Sequence, residues 1–283
     1  MNIVELTTDN IVSFLGFVPE DIADHIGRIF HHGFVAVEGD VPRAGMVWEL
    51  KNMLEDGPKG SRILWLKVEE ETAAAELFAR YGENIGLDDV ESSSYIIPAT
   101  PESREKDFLE TQGFTSELSE GDEISATLDQ MAQIPLMKKT ERDPAIYTLM
   151  SVNQSAFSAT TRKMAGKGHR GVCEDLIYLP RMYFENDVSC FYVEDGQIRA
   201  LLLLHRLPSG SLKVILMAAI GKDVKHLLVR LMKTALVEAM DLYPVDTKII
   251  IDRHNLATLA LGEKLFPNEI GMPVYTGSRE EAS

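Results

Sequence analysis

The residues of this chain that could do chemistry gather where apolar runs end. His205 closes the run from Ile198, and Asp252 and His254 follow the run Thr247 to Ile251. An imidazole in such a place can relay a proton to water near neutral pH. A second set is Gly221, Lys222, Lys225 and His226, which follow the run Leu212 to Ile220. That run is almost uninterrupted by polar residues, as in a strand buried on both faces. Beyond Gly221, apolar residues at 224, 227, 228, 231, 232, 235 and 236 have the spacing of an amphipathic helix. A buried strand that turns sharply into a helix start presents free N–H groups and suits an anionic cofactor. The same pattern also serves plain strand–helix packing with no ligand.

The chain has 283 residues, room for two modest domains or one large one. Its formal net charge of −16 argues against a general nucleic-acid binder. Residues 1–139 hold 27 acidic and 11 basic residues, whereas residues 140–283 hold 17 of each, so the whole excess lies in the first half. A polyanionic ligand meets less repulsion in the second half. Two cysteines, Cys173 and Cys190, have no metal-like spacing and fit free thiols in a reducing compartment. The start MNIVELTTDN lacks a basic leader, and no apolar run approaches a membrane span. The expected location is cytoplasmic, with no membrane partner.

The patterns predict an α/β chain. A strand over Asn2 to Leu6 precedes two helices, one capped by Thr7 to Asp9 and one over Pro19 to Phe30. Two strands flank Glu38 to Asp40, and a buried strand, Arg62 to Val68, runs into a helix over Glu69 to Tyr81. A strand over Ser93 to Ile97, a helix over Glu102 to Thr111 and two short strands complete the unit. Residues 129 to about 145 contain two prolines and mixed charges, which reads as a linker or crossover strand and sets a boundary near 140. The expected domains are therefore 1–139 and 140–283. In the second, Ile146 to Phe157 opens a strand or helix, and Cys173 to Phe184 reads as helical. Strands flank the turn Glu194 to Gln197, where Asp-Gly signals a tight turn. After the strand–helix unit of 211–233 come a strand over Thr247 to Ile251, a helix over Leu256 to Leu265 and a last strand over Gly271 to Thr276. The halves superpose in order: Gly33 to Asp40 matches the segment from Cys190, and Ser61 to Leu64 matches that from Ser211, which points to an internal duplication. One large domain with repeated βαβ units is the alternative.

This order of elements, together with Ile249 to Phe266 and Lys106 to Phe114, resembles two tandem copies of the GNAT (N-acetyltransferase) fold. The first passage is similar to the family's fifth-strand segment, which ends in Asn (here Asn255), followed by Ala257 and a Leu-Tyr-Glu-Lys type of helix end. The resemblance implies a mixed, mostly antiparallel sheet flanked by helices in each domain. It implies that strands four and five splay apart, with acyl-CoA pantetheine in the gap and its pyrophosphate on the amides of a glycine-rich loop. In the second half the implied cofactor residues are Met217, Ala218, Ile220, Gly221, Lys222, Lys225, His226 and Asn255, and the cofactor is acetyl-CoA or CoA. The sequence departs from the family where the loop's Gln/Arg falls on Asp223 and its two glycines fall on His226 and Leu228. The family's general-acid tyrosine falls on Gly262, and on Leu109 in the first half. In the first half the helix starts Glu69-Glu70-Glu71, whose carboxylates would repel a pyrophosphate.

The implied activity is N-acyl transfer from acyl-CoA to an amine acceptor, a small molecule or a peptide. A thiolate leaving group with a pKa near 8.5 needs little help from an acid, so the lost tyrosine leaves catalysis open. No Glu stands on Leu212 to Met217 as a base, which leaves His205, Asp252 and His254 as the catalytic candidates. The competing reading is an inactive GNAT-like protein whose clefts bind another molecule or a protein partner, and a homodimer fits either. No metal is expected: His31-His32 has no third ligand at a useful spacing and reads as a solvated helix end. Lys167 to Arg170, with Arg162 and Lys163, forms a basic run, either a solvated loop or a contact for an anion. Trp48 and Trp65 lie in apolar strands and read as packing residues.

Overall fold

A computed structural model of the chain describes residues 1–135, 137, 143–221, 224–253, 259, 262–263 and 269–281. Two compact units divide it, Met1–Gly121 with Met272–Ser283 and Asp122–Gly271. In chain order the first unit contains β1 (Asn2–Glu5), α1 (Glu20–Ala23), β2 (His31–Glu38), β3 (Val41–Lys51), β4 (Gly60–Val68), α2 (Glu71–Leu87), β5 (Ser92–Pro98), α3 (Arg104–Thr111) and β6 (Glu117–Glu120). The second contains β7 (Glu123–Thr127), α4 (Leu128–Gln133), β8 (Ile146–Thr148), α5 (Gln154–Ala165), β9 (Cys190–Glu194), β10 (Gln197–Arg206), β11 (Leu212–Ala219), α6 (Val224–Leu242) and β12 (Lys248–Asp252). The final strand, β13 (Pro273–Glu280), returns to the first unit.

Each unit is one mixed sheet between helical layers. The first sheet runs β1-β2-β3-β4-β5-β13-β6, and the second runs β7-β12-β11-β10-β9-β8. All pairings are antiparallel except β4 with β5 and β11 with β12. In the first unit Ala73, Ala74, Leu77 and Tyr81 of α2 pack on Trp48, Ile63, Leu66 and Tyr95. The alanines let the helix approach the sheet closely, and the period-two alternation along β3 and β4 supplies the apolar face. In the second unit Leu231, Met232, Ala235 and Leu236 of α6 cover Leu202, Leu204, Leu212, Ile249 and Ile251. The opposite face buries Phe157, Met164, Phe184, Leu201 and Leu203.

The long elements fall where their periodicity predicts them, and the fold is the mixed two-sheet architecture expected from the sequence. The division of the chain differs from 139/140. β7 is the second of the two short strands expected to complete the first unit, yet it pairs along its whole length with β12 of the second. β13 ends the chain and pairs with β5 and β6 of the first. Each unit therefore takes its strand beside the fifth-strand position from the other half of the sequence. The run at 129–145 also differs from a linker at its start. Thr127 and Gln130 form a reciprocal capping box on α4, whose Leu128 and Met131 are buried.

Several helices expected near the sheets are shorter. The segment after β1 forms only a 3-10 turn at Ile11–Phe14 and the four residues of α1. Residues 173–184 form two 3-10 turns, Leu176–Tyr178 and Arg181–Tyr183, separated by Pro180, which lacks the N–H a helix needs. His31 and His32 open β2 rather than ending a helix, and His31 is buried. Arg162 and Lys163 belong to the last turn of α5, so the basic run spans a helix end and a loop. Most of the expected helix at 256–265 lies outside the described residues. Cys173 and Cys190 are buried and form no disulfide.

Candidate functional site

The second unit contains a gap between two parallel strands. β11 and β12 pair only at Leu212–Ile249 and Lys213–Ile250. Beyond that point β11 continues for six residues, Val214 to Ala219, with no partner in β12. Among the described residues only Ile215 of this stretch has a partner outside the sheet, Val172 N–H on its C=O; the other groups on an edge left open in this way can meet an extended ligand as a further strand would. On its other edge β11 stays paired with β10 up to Ala219.

The open strand carries a bulge at its foot. Leu204 pairs with Val214 and Leu203 with Leu216, so Ile215 is the extra residue. Ile215 and Leu216 both join the core on the face away from α6, as the two residues opposite one at a bulge do. At the upper end, Ile220 N–H donates to Arg199 C=O at 2.7 Å, and Gly221 takes a φ of +117°, which glycine tolerates best. The chain then enters the 19 residues of α6, whose first turn holds no acidic residue. Lys225 and His226 are exposed on that turn. Lys222, His254 and Asn255 lie outside the described residues.

The remaining expected site residues divide between the two ends of this gap. Met217 and Ala218 belong to β11, and Ile220 follows its last residue. Asp252 ends β12, two residues above the last β11–β12 pair, and Ile249 and Ile251 face α6, so Asp252 points to the other face. His205 shares that face, because Leu202 and Leu204 face α6 while Leu201 and Leu203 do not. The two are not brought together. His205 pairs with Lys213 on β11, so it stands two strands, about 10 Å, from β12. Its ring stacks on Tyr183 with centroids 3.9 Å apart, and Nδ1 lies 2.6 Å from Tyr183 O. Sequence reading missed Lys213 and Glu123, which form an ion pair on this face beside Asp252; Glu123 is Asp252's partner on β7. The pairing of β7 with β12 is the long-range fact that brings them there.

The first unit repeats the gap with a different finish. β4 and β5 pair over Gly60–Ser92 to Ile63–Tyr95 and then separate. β4 also bulges, at Leu64, between the Trp48–Ile63 and Val47–Trp65 pairs. At its mouth Glu69 and Glu70 both donate their N–H groups to Arg43 C=O at 3.0 Å, and Glu71 opens α2. Glu105 of α3 accepts a hydrogen bond from Val68 N–H at 3.3 Å. Below the gap, Tyr81 OH lies 2.9 Å from Ser61 Oγ and 2.8 Å from Ser93 Oγ, and burial pushes its pKa up to about 12. These hydroxyls satisfy one another in the core.

Two sheets of this order, each splayed between its central parallel strands and each with a helix leaving the open end, define a tandem N-acetyltransferase fold. Solved structures carry the same arrangement. A tandem GNAT protein from the clavulanic acid biosynthesis pathway superposes over 100% of this chain and 99% of its own, with a TM-score of 0.65 at 11% identity. A GCN5-related glucosamine N-acetyltransferase region of a fungal multi-domain GH3 β-N-acetylglucosaminidase matches 98% of this chain and 38% of its own, with a TM-score of 0.61 at 10% identity. A GCN5-related N-acetyltransferase from Anabaena variabilis matches 99% and 73%, with a TM-score of 0.53 at 12% identity. The chain has the tandem GNAT fold. Its sequence matches no protein-family model and no curated protein. Among the described residues no helix is long and apolar enough to cross a membrane.

Proposed function

We propose that the chain is an N-acyltransferase whose second unit takes acyl-CoA, with acetyl-CoA the simplest case, between β11 and β12. The observation that carries this reading is the early end of the β11–β12 pairing, which leaves Val214 to Ala219 open as a strand for pantetheine. The turn at Gly221 and the start of α6 then receive the pyrophosphate, with Lys225 and His226 adding positive charge to the helix N-terminus. Lys222 and Asn255 complete the cofactor contacts in the sequence-based reading.

The acceptor is an amine on a small molecule or a peptide. Its nitrogen lone pair attacks the thioester carbonyl carbon, a C–N bond forms, and the carbonyl electrons move onto oxygen. Backbone N–H groups of β11 hold that oxyanion. Collapse breaks the C–S bond, CoA leaves as thiolate, and the proton lost by nitrogen passes to water through Asp252 at the end of β12, with His254 two residues on in the sequence and His205 the other candidates. The first unit shapes the protein without holding cofactor. A phosphate placed at its α2 start would face Glu69, Glu70 and Glu71, each repelling it by about 1 to 4 kcal/mol at 4 Å depending on exposure.

Calorimetric titration with acetyl-CoA and with CoA tests the reading. One micromolar site per chain supports it, and an amine screen follows. No heat and no rise in melting temperature at millimolar ligand would instead favour the inactive, ligand- or protein-binding alternative.

A further inference from the structure

The bulge in β11 is held from outside its own sheet. An extra residue in a ladder leaves backbone groups without a strand partner, and a buried C=O needs a donor. The donor for Ile215 is the N–H of Val172, at 3.0 Å, in the loop that follows α5. The preceding residue, Gly171, has a φ of +65°. A Cβ there would lie 2.0 Å from Ile215 O and 3.1 Å from Leu216 Cα, both backbone atoms that cannot swing aside. Val172 and Cys173 pack with the same core face as Ile215 and Leu216, so the loop is anchored at the contact and just after it.

The consequence follows from strand geometry. Successive residues of a strand direct their N–H groups to alternate edges. One inserted residue therefore changes which of the following amides face β10 and which face the open gap. We propose that Gly171 and Val172 are positioning residues for acyl transfer: by fixing the Ile215 bulge they set the phase of the amides from Leu216 to Ala219, and with it the N–H that meets the thioester oxygen. This rests on the cofactor reading above. It adds a clamp that acts through the strand and touches neither cofactor nor acceptor.

The test is infrared spectroscopy of acetyl-CoA labelled with ¹³C at the thioester carbonyl, bound to the full-length chain. The same samples are titrated with CoA, which has no acyl carbonyl. In the wild type, binding lowers the carbonyl stretching frequency, because an aimed N–H polarises the bond. In Gly171→Ala the frequency returns toward that of free acetyl-CoA, while affinity for CoA stays within about threefold. Where Gly171→Ala does not fold, Val172→Pro removes the N–H without a Cβ at 171 and reads the same contact. A wild-type shift that persists in the variant would overturn the clamp and leave the cofactor reading standing. Tighter CoA binding in the variant would also overturn it, since the loop would then be competing with cofactor for the strand. A wild type that binds neither ligand overturns the cofactor reading and the clamp together.

Discussion

The molecule builds the same opening twice and finishes it in two ways. In both units a parallel central pair begins in register and separates, and in both the fourth strand carries a bulge, at Leu64 and at Ile215. In the first unit the strand's exit meets carboxylates: Glu69, Glu70 and Glu71 surround the start of α2, and Glu105 takes the N–H of Val68. In the second a single carboxylate, Asp223, stands in the sequence between the exit glycine, Gly221, and a helix whose first turn holds Lys225 and His226 and no acid. The scaffold is thus indifferent to chemistry. In the cofactor reading proposed above, a handful of side chains at one strand end distinguishes the two openings.

The largest expected effect concerns how the two units are completed. Ending the chain at Gly271 removes β13, which pairs with β5 over seven positions and with β6 over four. Both tryptophans, Trp48 and Trp65, lie in the first unit, so their emission reports on that unit alone. The truncated chain is expected to lose the cooperative tryptophan transition on heating. A truncation that keeps the wild-type transition would show that the first sheet closes without its last strand.

The next effect is on cofactor. Lys225→Glu with His226→Glu reverses the charge of the α6 start, and each helix-terminal charge is worth about 0.3–1 kcal/mol. Calorimetry is expected to show roughly tenfold weaker CoA binding. The matching change in the first unit, Glu70→Gln with Glu71→Gln, is expected to leave CoA affinity and stoichiometry as they were.

A third difference is in acid sensitivity. His31 is kept well below the ordinary histidine value, first by burial and then by Arg28, His25, Lys51 and His32. Burial alone would raise Glu49, its neighbour at 3.5 Å, but Arg62 and Lys51 outweigh it and hold this carboxyl below the usual range. A histidine with a depressed pKa binds more protons unfolded than folded, so stability falls as pH drops through about 6.5 toward the folded value. Glu49 adds a further loss below about 4.5, where its unfolded form protonates first. The tryptophan-monitored midpoint is therefore expected to fall between pH 7 and pH 5, and His31→Leu is expected to flatten that slope. An unchanged slope in the variant would assign the acid sensitivity elsewhere.

The smallest effect is at the closed mouth. Glu105→Ala removes the acceptor for Val68 N–H and is expected to lower first-unit stability by about 1 kcal/mol.

Much of this was legible in the sequence, and the reasons for what was not are physical. Elements with a strong period, such as β4 with α2 and β11 with α6, announce themselves because burial imposes spacing on their side chains. The Asp195-Gly196 turn was readable because both residues take positive φ, as that dipeptide favours. The partner of a short strand is not local information. Glu123–Thr127 and Pro273–Glu280 are ordinary short strand sequences, and nothing in them says that each completes the other half's sheet. The bulges are likewise invisible, because an extra residue shows only when two strands are laid side by side. Gly171 reads in sequence as one more loop glycine, and only the folded chain shows that a Cβ there would run into Ile215 O. Among the candidate site residues, β11 and the α6 start were readable from pattern. The separation of His205 from Asp252 required the strand order.

The most direct test of the asymmetry between the two openings is the stoichiometry of acetyl-CoA binding to the intact chain. Calorimetry is run on the wild type and on Lys225→Glu with His226→Glu. The account requires one micromolar site in the wild type and a site weakened about tenfold in the variant. Two sites per chain, or one site that the variant leaves unchanged, would contradict it.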